Sequence, residues 1–134
     1  MRMKGYSTPI EKDTLKNSDF RRVLYTGKYS QLVLMNLQPL EEIGLETHKD
    51  RDQFFRFEEG KGKVIIDGVE HKVKDGYAII VPAGAKHNVI NTSKKRELKL
   101  YTIYSPPEHQ DKVVRHTKAD AEASPEEYDG KPTE

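Results

Sequence analysis

At 134 residues, 34% of them hydrophobic and none a cysteine, the chain has room for one domain with a modest core, and it rules out disulfide frameworks, thiolate nucleophiles and zinc–thiolate sites. Twenty-three basic residues against 22 acidic ones leave a formal net charge of +1 with no basic block, which speaks against a nucleic-acid partner held by phosphate neutralisation. Residues 1–9 lack the apolar core of a signal peptide and no stretch reaches the roughly 20 apolar residues that cross a bilayer, so a cytoplasmic protein without a membrane partner is expected.

Residues 1–20 are polar, with Pro9 and a helix-like turn around Ser18, and read as an N-terminal arm. From Arg21 the composition changes. Arg21 to Thr26 and Tyr29 to Leu37 are rich in Val, Leu, Tyr and Met and are split by Gly27, which predicts strand, turn, strand. Leu32, Val33, Leu34 and Met35 make both faces of the second strand apolar, so one face should meet the interior and the other the arm or a partner subunit. Pro39 ends that strand. Gln53, Phe55 and Phe57 alternate with Phe54, Arg56 and Glu58, which puts Arg56 on the exterior. Asp67-Gly68 between two β-branched runs predicts a tight hairpin, because a type I′ turn needs positive φ at both central residues. Tyr77 to Val81, His87 to Asn91 and Leu98 to Tyr104 are the remaining strands, the last with Leu98, Leu100, Thr102 and Tyr104 turned inward. Beyond Pro106-Pro107 the chain is polar, with a short helix expected from Thr117 to Ala123 capped by Thr117. Residues 119–134 carry six acids and one base. The organisation read from this is an arm (1–20), a barrel (21–105) and a C-terminal polar tail (106–134), and the many short strands punctuated by turns indicate an all-β sandwich or small barrel.

Two stretches carry donor atoms. In the first, Glu46 and His48 lie two residues apart, so an extended chain points both to one face, and Gln53 and then Gly60 follow. In the second, Gly76 opens an apolar run that ends in Pro82-x-Gly84, with His87 and Asn91 beyond it. One carboxylate, two imidazoles and an amide oxygen form a borderline-hard, sulfur-free set suited to Zn, Mn, Fe, Ni or Co and unsuited to Cu(I) or an Fe–S cluster.

The spacing Glu46-x-His48, four residues, Gln53, six residues, Gly60 resembles the first motif of the cupin superfamily, and Gly76, five residues, Pro82-x-Gly84, two residues, His87, three residues, Asn91 matches the second at every fixed position. The chain thus resembles a small single-domain cupin of the mannose-6-phosphate-isomerase-like group. The resemblance implies a jelly-roll barrel (double-stranded β-helix). It places Glu46 where the usual first histidine stands, His48 at the second histidine, Gln53 at the usual glutamate and His87 at the last histidine. Leu40 stands where a glycine is usual, six residues before Glu46.

The metal ligands expected are therefore Glu46, His48, Gln53 and His87, holding a divalent transition metal with positions left open for water or substrate. No general base is evident in the motifs, and Tyr104 is the one catalytic candidate, to be weighed against a purely structural role. His71 is expected on a solvated face, and His109 and His116 on the surface or at an interface. Three functions are compatible with this set. The first is a metal-dependent isomerase, epimerase or lyase acting on a sugar or sugar acid; the second, a non-catalytic sugar- or small-anion-binding module; the third, an Fe-dependent dioxygenase. A homodimer is expected from the two-faced strand and from Tyr101 and Ile103. Metal occupancy is expected to fall below about pH 6, where unperturbed histidines protonate.

Overall fold

The computed structural model describes residues 2–134. Helix α1 (Ile10–Lys16) opens the chain, and the strands β1 (Arg21–Thr26), β2 (Gln31–Leu37), β3 (Glu46–Thr47), β4 (Asp52–Glu59), β5 (Lys61–Ile66), β6 (Val69–Lys74), β7 (Ala78–Val81), β8 (Lys86–Asn91), β9 (Leu98–Ser105) and β10 (Val114–Arg115) follow, with α2 (Lys118–Ala123) near the end. They form two antiparallel sheets, β10-β1-β2-β9-β4-β7 and β3-β8-β5-β6, facing one another in the jelly-roll arrangement that the resemblance implies and within the sandwich or small barrel that the strand pattern predicts. The core lies between them. Phe55, Phe57, Val33, Leu37, Leu98 and Leu100 from the first sheet meet Val64 and Val89 from the second, all with no side-chain exposure to solvent.

The alternation read from the sequence is realised in β4 and β9. Gln53, Phe55 and Phe57 are buried while Arg56 pairs outside with Glu58 at 3.0 Å, and Leu98, Leu100, Thr102 and Tyr104 all turn inward. Asp67 (φ 46°) and Gly68 (φ 82°) form the expected positive-φ turn between β5 and β6. Two other glycines are required by close approach rather than by a turn. A Cβ on Gly60 would sit 2.5 Å from the Glu97 carbonyl oxygen, and one on Gly62 2.4 Å from that of Ile90, both backbone atoms that cannot swing away.

Three features go beyond the expectation. The arm holds a true helix, α1, while Ser18 carries no turn and residues 19–20 only bend. Second, of the two coverings expected for the outer face of β2, the arm supplies it: Leu34 and Asn36 are buried, and the Asn36 side chain donates to the Asn17 carbonyl at 2.9 Å. Third, the tail adds a strand. Val114–Arg115 pairs with Arg21 and Arg22 of β1, and the segment between β9 and α2 runs back over the open end of the barrel. α2 itself starts where predicted, with the Thr117 hydroxyl accepting from the Asp120 amide at 3.0 Å.

Candidate metal centre

Strand pairing brings the two donor stretches together. β3 and β8 are hydrogen-bonded neighbours with Glu46 directly opposite His87, while β4 on the facing sheet presents Gln53 opposite Tyr104 of β9. The ring of His48, one residue past β3, returns to the same face as Glu46, with its Nε2 3.1 Å from Glu46 Oε2. One donor atom from each of Glu46, His48 and His87 falls within 4.8 Å of the others. The His48 and His87 ring centroids are 5.4 Å apart, and the edge of Phe55 faces His87 at 6.3 Å. Phe55 therefore stands beside the cluster, on the same buried face of β4 as Gln53.

Gln53 is 2% exposed, and its Nε2 donates to the Thr102 hydroxyl at 3.0 Å. The Thr102 hydroxyl in turn donates to the Phe54 carbonyl at 2.8 Å, so the amide cannot be turned round without losing a partner. This orientation fixes Oε1 as the free end. It is a buried acceptor with no hydrogen-bond partner among the described residues, an arrangement that costs free energy unless something else approaches it.

The electrostatics of the two histidines differ. Glu108 and then Glu46 hold the His48 imidazolium and raise its pKa to about 9, burial opposing them. Burial pushes His87 below the ordinary imidazole value, with a 3.3 Å contact from its Nδ1 to the Ala85 carbonyl opposing that fall. Burial alone would raise Glu46, but its contact with His48 outweighs that and leaves the carboxyl below its usual range. The donor set fits a divalent cation on this geometry. Nδ1 of His87 faces a carbonyl and Nδ1 of His48 faces Glu108 Oε2 at 3.2 Å, so each ring has Nδ1 assigned to a protein acceptor, and Nε2 of His48 is the nitrogen turned toward Glu46.

A cavity of about 470 Å³ opens beside Glu46 and His48. Its far wall is the C-terminal segment, including Glu108, His109, Lys118, Glu122 and Glu126. The sequence expectation for His109 is corrected here. It is buried, not at the surface, because its main chain is fastened to β2: the Gln31 side chain accepts from the amides of Glu108 (3.1 Å) and His109 (2.9 Å) and donates to the His109 carbonyl (2.7 Å). Its ring stands edge-on to Tyr104, with Nε2 3.2 Å from the phenol oxygen, and its Nδ1 is 3.2 Å from Glu126. Arg21 and Arg115 flank Glu126 at 3.7 and 3.6 Å. Burial lowers the His109 pKa and raises that of Tyr104. The buried side-chain atoms without a hydrogen-bond partner among the described residues belong to Arg21, Gln53, Glu108, His109 and Glu126, and four of those residues line this one cavity.

His71 is exposed, as expected, and His116 is exposed with its Nδ1 2.7 Å from Asp19. Glu108, His109 and Glu126 are the site residues that no local pattern announced, since they arrive through a long return of the chain. No helix among the described residues is long and apolar enough to cross a membrane.

A family model described as a cupin domain matches residues 33–104. The uncharacterized protein YrkC of Bacillus subtilis (strain 168) is 46% identical over 127 residues, covering 90% of this chain and 68% of that protein. An uncharacterized protein of Acanthamoeba polyphaga mimivirus is 44% identical over 108 residues, 78% of this chain and 67% of its own length. Among solved structures, BH2720 from Bacillus halodurans is 46% identical with a TM-score of 0.87, over 90% of this chain and 96% of that one.

Proposed function

The chain belongs to the cupin domain family, and on that premise we propose that Glu46, His48, Gln53 and His87 hold a divalent transition metal (Zn, Mn, Fe, Ni or Co) at which a small oxygenated substrate of the sugar or sugar-acid class is isomerised, epimerised or cleaved. The observation that carries the reading is the gathering of donor atoms from Glu46, His48 and His87 within 4.8 Å of one another beside a cavity of about 470 Å³, with Gln53 on the facing sheet holding a buried Oε1 that has no partner among the described residues. A bound divalent ion would polarise a substrate carbonyl or hydroxyl oxygen.

The remaining roles belong to the chain. Phe55 and Phe57 keep the inner side dry, and the C-terminal segment closes the outer side. The Tyr104 hydroxyl lies 3.2 Å from His109 Nε2, and its ring is edge-on to that of His48 with centroids 5.8 Å apart; in this reading it holds or passes a proton, with Glu126 behind His109 to balance the charge. This supports Tyr104 as a catalytic group better than the sequence did.

The division into arm, barrel (21–105) and tail is part of this reading, with the tail as the outer wall of the site. So are a cytoplasmic location and a homodimer. Since α1 covers the second face of β2, what supports association is the exposed Ile80, 67% accessible on the edge strand β7, with Leu45 and Leu40. Light scattering at micromolar concentration tests the dimer, and a stable monomer refutes it.

The functional test is a panel of aldoses, ketoses and uronates followed by NMR with the Zn, Mn, Fe, Ni and Co forms. Conversion with at least one metal, abolished by chelation, is expected. Binding without conversion would instead establish a metal-dependent binding module, and oxygen consumption confined to the Fe(II) form a dioxygenase.

A further inference from the structure

The family match ends at residue 104, yet His48 is held from beyond it. Glu108 Oε2 stands 3.2 Å from His48 Nδ1 and 3.2 Å from Arg51 Nε. Three observations show that this carboxylate is placed rather than drifting. Its own backbone amide and that of His109 are fixed on Gln31, a side chain 1% exposed on β2. Arg51 Nε also donates to the Pro107 carbonyl at 2.9 Å, which locks the guanidinium onto the same turn. Glu108 Oε2 is itself buried, and although His48 and Arg51 are near it, neither approaches along a hydrogen-bond line in this arrangement. A buried carboxylate on a tethered stretch of backbone, 3.2 Å from a ring nitrogen, is suited to receive that ring's N–H.

We infer that Glu108 is a positioning residue of the metal centre. It accepts the Nδ1 proton of His48, sets the ring so that Nε2 faces the position shared with Glu46, Gln53 and His87, and thereby makes the C-terminal segment part of the site. The inference rests on the proposed metal reading. A carboxylate behind a ligating histidine fixes the tautomer and the ring plane and makes the imidazole a stronger donor, and loss of such a partner commonly weakens metal binding by about 10- to 100-fold. Glu122, which also lines the cavity but is exposed and makes no ion pair among the described residues, offers the control for the loss of a nearby negative charge alone.

The experiment measures Zn and Co(II) affinity by competition with a chromophoric chelator for the full chain, Glu108→Gln, Glu108→Asp and Glu122→Gln, together with the visible spectrum of each Co(II) form. Glu108→Gln is expected to bind about 10- to 100-fold more weakly and to shift the Co(II) bands. Glu122→Gln is expected to stay within about threefold of the parent, as screening of an exposed charge implies, with the parent spectrum. Glu108→Asp keeps the charge but draws it back by one methylene, so it should also lose affinity; it provides the reading should Glu108→Gln fail to fold. If the parent binds neither metal, the metal reading falls and the inference with it. If the parent binds and Glu108→Gln matches it, or loses no more than Glu122→Gln with unchanged Co(II) bands, the inference alone is overturned.

Discussion

Metal uptake at this site should be a proton exchange, and its pH dependence follows from the different settings of the two histidines. His48, raised to about 9 by Glu108 and Glu46, is an imidazolium at neutral pH in the metal-free protein, whereas His87, lowered by burial, is already neutral. Binding at His48 Nε2 must therefore expel one proton. At pH 7.5 about one proton should appear per metal bound, falling towards zero above about pH 9. At pH 7 only about one molecule in a hundred has His48 ready, a cost of about 2.7 kcal/mol, so the apparent affinity should rise about tenfold per pH unit between pH 7 and 8 and level off above 9. This moves proton competition well above the pH 6 expected from unperturbed histidines. The linkage has a second face. Because the folded pKa lies above 6.5, the metal-free protein holds the full contribution of this ion pair below that pH and loses it as pH rises through about 9, at most about 3 kcal/mol. Isothermal titration in buffers of different ionisation enthalpy counts the protons, and denaturant unfolding of the metal-free protein from pH 6 to 9.5 reads the stability. Stoichiometric metal uptake at pH 7.5 with no proton released would refute the reasoning, as would an affinity flat from pH 7 to 9.

Gln53→Leu should weaken metal retention yet leave the metal-free protein within about 1 kcal/mol of the parent, because removing the orphaned Oε1 at nearly constant volume offsets the lost Nε2 bond to Thr102; Glu46→Gln should weaken retention further, and equal retention in both would remove these residues from the site. Leu40 stands at φ 64° and 58% exposed, so Leu40→Gly should relieve left-handed strain and raise stability by about 0.5–1 kcal/mol in denaturant melts, where a clear loss would contradict the backbone account. Gly62→Ala should cost more than about 2 kcal/mol, since the new Cβ would lie 2.4 Å from a backbone carbonyl in the adjoining strand; an unchanged midpoint would mean that β5 and β8 part easily.

The parts that the sequence made legible are those whose cause is local. Period-two alternation placed Gln53, Phe55 and Phe57 inside and Arg56 outside, the Asp67-Gly68 pair announced its turn, and the two motif spacings picked out Glu46, His48 and His87, which the sheet register then sets side by side. Leu40 shows the limit of reading by residue type. The usual glycine is absent, yet the backbone keeps the left-handed conformation that glycine would have favoured. What stayed hidden depends on contacts remote in sequence. α1 carries only Ile10 and Leu15 as large apolar residues and gains its place by covering β2 and β9, with the Lys99 ammonium bonded to the Leu15 carbonyl. His109 looked like a surface residue because nothing near it in the chain is apolar. Its burial comes from Gln31, 78 residues away, and from Tyr104 and Glu126. The pKa of His48 was equally unreadable, since the carboxylate that raises it most lies 60 positions further on in the sequence.

The central claim is that Glu46, His48, Gln53 and His87 hold one divalent ion, and elemental analysis of the purified protein tests it most directly. The full chain, after incubation with Zn, Mn, Fe, Ni or Co and removal of loose ions, should retain close to one equivalent of at least one of them. A His48→Ala/His87→Ala variant with the same far-UV circular dichroism should retain next to none. A parent chain that keeps none of the five ions, or a double variant that keeps as much as the parent, would contradict the account.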